Sequence, residues 1–226
     1  MVQKMNISRT DEQLKKNVVD HLFWDDSIDA SGVKVVVSNG KATLSGNVLS
    51  YSAKDAASSA AWLVNGIQDV DNRLQVRFPS NNPILTDDEI RRNATEVLAW
   101  NADVHGLAIS VSVTEGVITL DGTVASYWQR NKAEKLVTDL LGVVNVINQL
   151  IVIPTDLLTD QTIAENIQTA LKNSPRIDGS AIKVSVTDGI VRLIGSVPTS
   201  LDRIQASIIV GNCRGVIDII NEIKAL

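Results

Sequence analysis

Three stretches of this chain lie on top of one another without a gap, and that internal repeat limits its fold more than any other feature. VKVVVSNGKATLSGNV at 33–48, ISVSVTEGVITLDGTV at 109–124 and IKVSVTDGIVRLIGSV at 182–197 bring Gly40, Gly116 and Gly189 into register, and with them Gly46, Gly122 and Gly195. The register extends outward to Thr10, Thr86 and Thr159 on one side and to Gly66, Gly142, Gly215 and then Asn72, Asn148, Asn221 on the other, at constant offsets of 76 and 73 residues. A period this long marks tandem structural units, each the size of a small domain. The expected organisation is a tail at 1–9, units at 10–77, 86–152 and 159–226, and linkers at 78–85 and 153–158. The linkers, FPSNNPIL and IPTDLL, place proline just beyond a strand, where pairing must stop. They are too short for the units to tumble freely.

Each unit reads alike. Thr10, Thr86 and Thr159 are placed to cap a first helix, with Gln13 and Glu89 completing capping boxes in two of the three. Leu14, Val18 and Leu22, then Ile90, Ala94, Val97 and Leu98, then Ile163, Ile167, Ala170 and Leu171 recur at helical spacing and form its buried stripe. Alternating apolar residues follow on both sides of Asn39-Gly40, Glu115-Gly116 and Asp188-Gly189, which predicts hairpins with tight turns. Ser50, Ser126 and Thr199 open a second helix, Gly66, Gly142 and Gly215 close it, and a last strand completes an αββαβ unit. The predicted class is α+β, with two helices on one face of a three-stranded mixed sheet, repeated three times.

The pattern V-x-V-x-x-G-x-x-x-L-x-G-x-V, a helix, and then G-[VI]-x-x-V-x-N-x-[LI], seen at Val111–Val124 and Gly142–Leu150, resembles the BON domain of bacterial osmotic-stress and nodulation proteins. All three units fit it, over nearly the whole of 10–226. The resemblance implies a stress-associated binding module without an active site, one that touches phospholipid surfaces or envelope partners. The alternative is a cytosolic module that recognises a protein partner, or a small ion or ligand held between domains.

The residues that could carry chemistry point the same way. Gly40 and Gly46 punctuate a hairpin and do not lead from a strand into a helix N-terminus, so a phosphate loop is not expected. His21 and His105 fall at non-equivalent positions of the repeat, His21 at the margin of the first core and His105 in a loop. The single cysteine, Cys213, falls on the inward stripe of a helix, where cysteine acts as a small hydrophobe. No cofactor, metal site or catalytic residue is expected. Asn17, Asn93 and Asn166 on the first helix, with the strand asparagines, are expected to bond otherwise unpaired backbone.

Charge narrows the partners. With 44% apolar and 21% charged residues the chain is ordinary globular material, and its net charge of −5, with no basic unit, disfavours nucleic acid. Met1 to Thr10 contain no apolar core of signal-peptide length, which suggests a cytoplasmic chain as written, or a periplasmic one if a leader has been removed. One patch stands out in the acidic second unit: Tyr127 and Trp128 lie beside Arg130, Lys132 and Lys135. Aromatics with one polar edge suit a headgroup layer, so these five are the candidate membrane or partner contact, the alternative being that Trp128 packs on a neighbouring unit. Trp24 and Trp100 end the first helices and are expected in the core, whereas Trp62 is expected at an inter-domain contact.

Overall fold

A computed structural model describes residues 10–78, 85–104, 109–155 and 158–225. In the first unit α1 (Asp11–Trp24) is followed by β1 (Val33–Ser38), β2 (Lys41–Val48), α2 (Tyr51–Trp62) and β3 (Asp69–Val76). The second unit has α3 (Asp87–Trp100), β4 (Ile109–Thr114), β5 (Val117–Val124), α4 (Tyr127–Thr138) and a last strand broken into β6 (Asn145–Asn148) and β7 (Ile151–Val152). The third has α5 (Asp160–Lys172), β8 (Ile182–Thr187), β9 (Ile190–Val197), α6 (Ser200–Gly211) and β10 (Asp218–Ala225). Each sheet is mixed: β1 pairs antiparallel with β2, and β2 parallel with β3, with the same order in the other units. Most of the two linkers, at 79–84 and 156–157, and His105 lie outside the described residues.

The elements form where the sequence places their signals. Thr10, Thr86 and Thr159 accept from the third backbone amide of the first helix, and Ser50, Ser126 and Thr199 do so for the second. The reciprocal half of the capping box is made by Glu89, as expected, and by Asp202 in α6, where the carboxylate reaches back to Thr199. At α1 only the cap itself forms, the Gln13 backbone N–H donating to the Thr10 hydroxyl at 3.3 Å, so the capping box expected there is not completed. The second helices end before the conserved-spacing glycines: α2 stops at Trp62, so Gly66, at φ 102°, belongs to the turn that leads into β3 and not to the helix cap.

Each hairpin turn has both central residues at positive φ, 50° at Asn39 and 73° at Gly40, a geometry whose twist matches that of the paired strands. Gly46 answers to a close approach: a Cβ there would lie 2.0 Å from the carbonyl oxygen of Gly32. Each unit has its own core under the two helices. Leu14, Val18, Leu22, Leu44, Ala57, Ala61 and Leu74 fill the first, and the equivalent residues fill the other two. Burying a Leu or Ile in such a core contributes about 1.5–3 kcal/mol, so each unit is held chiefly by its own apolar stripe.

Candidate functional site: exposed aromatics and the contacts between units

Asp11, Asp87 and Asp160, the first residue of each first helix, fasten the hairpin to it. Asp87 accepts from Glu115 N at 2.8 Å and Gly116 N at 2.9 Å, and the pairs Asn39/Gly40 and Asp188/Gly189 donate to Asp11 and Asp160 in the same way. The signal was the Thr-Asp pair in every unit, which reads equally well as a helix start and therefore hides the long-range bond. Asn72, Asn148 and Asn221 each donate to a carbonyl of the second helix, those of Lys54, Arg130 and Arg203, at 2.7, 3.0 and 3.1 Å, and accept from the backbone two residues on. The expected backbone role therefore holds for the strand asparagines. Asn93 and Asn166 are instead exposed and Asn17 half-buried.

The second helices carry the contacts between units. Tyr51 packs against the core of the second unit, and Tyr127 against that of the third. Arg130 stacks over Tyr127 at 4.7 Å and bonds Asp218 of the third unit at 2.9 Å, while Lys135 reaches Asp55 of the first at 3.1 Å. Arg203 of the third unit lies over Trp62 of the first at 4.6 Å, so Trp62 does sit at a contact between units. Of the five candidate contact residues, Tyr127, Arg130 and Lys135 thus engage neighbouring units. Lys132 is half-buried, and Trp128, 39% exposed, faces a cleft of about 380 Å³ lined on its far side by Gly211 to Gly215.

The largest aromatic surface lies elsewhere. Trp24 and Trp100, expected in the core, are 80% and 87% exposed, and Phe23 is 71% exposed with its ring edge-on to Trp24 at 5.4 Å. The reason is angular: each tryptophan follows the last buried leucine, Leu22 or Leu98, by two positions, about 200° around the helix. His21 is also exposed, not at the core margin. It lines, with Trp24, Asp20, Asp25, Asp26 and Leu201, a cleft of about 1080 Å³ between the first and third units. The hydroxyl and backbone of Ser27 hold the Asp25 carboxyl below its usual range, so that edge of the cleft stays anionic.

Among the described residues no group of three or more His, Cys, Asp and Glu side chains is placed to hold a metal, and no helix is long and apolar enough to cross a membrane. The Cys213 thiol, half-buried and bonded to the Ile209 carbonyl, is pushed up by burial, away from the thiolate.

Fold and surface together define a tandem protein of three αββαβ units, with its contacts concentrated on the second helices. The chain belongs to the BON domain family, whose description matches residues 10–77, 86–154 and 159–226. It is 30% identical over 153 residues to osmotically-inducible protein Y of Escherichia coli (strain K12), a match covering 65% of this chain and 72% of that protein. Among solved structures it is similar to CdsD, a structural protein of the type III secretion system of Chlamydia trachomatis, at 15% identity and TM-score 0.27 over 93% of this chain and 91% of that one. The C-terminal domain of CdsD gives 16% identity and TM-score 0.26 over 96% and 100%. Neither structural likeness bears on function.

Proposed function

We propose that the chain is a non-catalytic, stress-associated binding protein whose tandem units contact a phospholipid surface or an envelope partner. The observation that carries this reading is the exposure of tryptophan at the same position of two units, 80% at Trp24 and 87% at Trp100. An indole left in water at two equivalent places is the kind of side chain that enters a headgroup layer or a partner's pocket, because its ring is apolar and its N–H is not. Phe23 widens the first of these contacts. Trp128, beside the junction of units two and three, offers a second, smaller one, with Lys132 one turn further along α4. Two linked weak contacts bind more tightly than either alone when both reach the same surface. The osmotic induction in the name of the Escherichia coli relative supports the association with stress.

Asp25 and Asp26 beside Trp24 disfavour a purely electrostatic attraction to anionic lipid, so the aromatic contribution decides. Sedimentation with zwitterionic and with anionic vesicles, each at low and high salt, tests this. Binding that survives salt and is lost in Trp24→Ala/Trp100→Ala, with unchanged melting, is the expected result. Loss of binding only in Trp128→Ala/Lys132→Glu would move the site to the second contact, and no binding to either vesicle would remove the lipid reading. A second reading, a small ligand held between units, is favoured by the cleft of about 1080 Å³. Its apolar floor and acidic rim suit an organic cation.

A further inference from the structure

Positions 51, 127 and 200 are one position of the repeat, and so are positions 62, 138 and 211. Each member of the first set starts a second helix and meets the following unit, and each member of the second set lies at or near the end of the helix it meets. Tyr51 packs on the second unit, whose residue at the receiving position is Thr138, 4% exposed. Tyr127 packs on the third, where a Cβ at Gly211 would lie 3.0 and 3.1 Å from Cδ1 and Cε1 of its ring. Ser200, 1% exposed, donates to the Ile67 carbonyl of the first unit at 3.4 Å, and there the receiving residue is Trp62. The contact between a large and a small residue is seen directly for Tyr127 and Gly211, and by repeat position the same pairing of sizes holds for Tyr51 with Thr138 and for Ser200 with Trp62, except that in the last pair the two have changed sides. The cation follows the aromatic. Lys54 and Arg130 lie over the tyrosine of their own unit, at 5.9 and 4.7 Å, whereas Arg203, at the equivalent position, lies over Trp62 of the other at 4.6 Å.

We infer that this exchange of large and small residues is the code that closes the three units into a ring, first onto second, second onto third and third onto first, and leaves no head-to-tail surface for a second copy of the chain. A head-to-tail contact between like units either closes or propagates into a filament, so something must stop the third unit from recruiting another chain. Size does so here. Ser200 set against Thr138 or Gly211 of another copy leaves a void, and Tyr51 or Tyr127 set against Trp62 overfills the junction. The only receiving position that a serine fills well is that of Trp62, and the only unit bearing it is the first. The ion pairs Lys135 to Asp55 and Arg130 to Asp218 hold the other two junctions in order. Of the two polar side chains buried among the described residues, Ser200 bonds across the third junction and Thr138 stands at the receiving position of the second unit.

The test is Ser200→Tyr in the full chain, followed by small-angle scattering and light scattering after gel filtration across a range of concentrations. The wild type is expected to be a compact monomer at all concentrations. Ser200→Tyr is expected to raise the radius of gyration and to associate as concentration increases, and Ser200→Tyr/Trp62→Thr, which restores a large-to-small match, is expected to recover the compact monomer. If circular dichroism shows that Ser200→Tyr has lost its fold, Trp62→Ala replaces it, since it removes the closing contact without overpacking and is expected to open the ring in the same way. Unchanged scattering in the variant that folds overturns the inference. So does a double variant no more compact than Ser200→Tyr alone, or a wild type that associates.

Discussion

Tyr127 and Gly211 belong to different units, yet the tyrosine ring occupies the space into which any side chain at 211 would project, 3.0 Å from an ideal Cβ. Gly211→Val is therefore expected to push the second and third units apart. The loss in stability is about 1–3 kcal/mol, the ordinary range for overpacking a filled site, and it outweighs the gain of less than about 1 kcal/mol from removing a helical glycine. Thermal melting reads it, and a Gly211→Val/Tyr127→Ala double variant recovers part of the loss because the obstruction is gone.

Asp87 receives two backbone amides from the hairpin turn at Glu115 and Gly116. Asp87→Ala leaves both without that partner and is expected to cost about 1–2 kcal/mol in a urea titration, more than Asp88→Ala on the neighbouring exposed position. Hydrogen exchange at Glu115 and Gly116 should accelerate first, since those two amides lose their acceptor.

The Tyr51 hydroxyl titrates above its usual range, chiefly because burial disfavours the phenolate, with the charges of Glu134 and Asp55 adding to the effect and a hydrogen bond with the Val146 backbone opposing it. A folded-state value raised above the unfolded one means that the unfolded chain loses this proton first. The stabilisation is complete below the unfolded value of about 10 and falls as pH rises through the folded one. Denaturation midpoints followed from about pH 8 upward should decline more steeply in the wild type than in Tyr51→Phe, whose ring still fills the junction.

Arg130 and Asp218 form an ion pair between units, with side chains 25% and 50% exposed. A double-mutant cycle with alanine at both positions is expected to give a coupling of about 0.5–1 kcal/mol that shrinks as salt is added. Arg130→Ala alone should cost more than Asp218→Ala alone, because the guanidinium also covers the Tyr127 ring.

Within a unit the sequence was close to sufficient. The helix caps at Thr10, Thr86 and Thr159, the hairpins at Asn39-Gly40 and its equivalents, and the buried stripes Leu14-Val18-Leu22 and Ile163-Ile167-Leu171 are local signals, each set by contacts a few residues apart along one element. The repeat then confirmed each reading three times over. The candidate site was less legible. Tyr127, Trp128, Arg130, Lys132 and Lys135 read as one patch because they are near in sequence, but successive residues of a helix point in different directions, and the fold turns Tyr127 and Arg130 toward the third unit and Lys135 toward the first.

What the sequence determined by itself, then, is the unit, its count, the order of its elements along the chain and the apolar stripes of its core, because these follow from periodicity and local backbone chemistry. What only the tertiary structure decided is which helix faces meet. The burial of Ser200, the exposure of Trp24 and Trp100, and the match of Tyr127 to Gly211 and of Arg203 to Trp62 depend on residues 84 to 141 positions apart, or on where another unit stops covering the surface. Apolar periodicity marks a face as buried or exposed within its own unit. It carries no information about a second surface that is brought against that face from elsewhere in the chain.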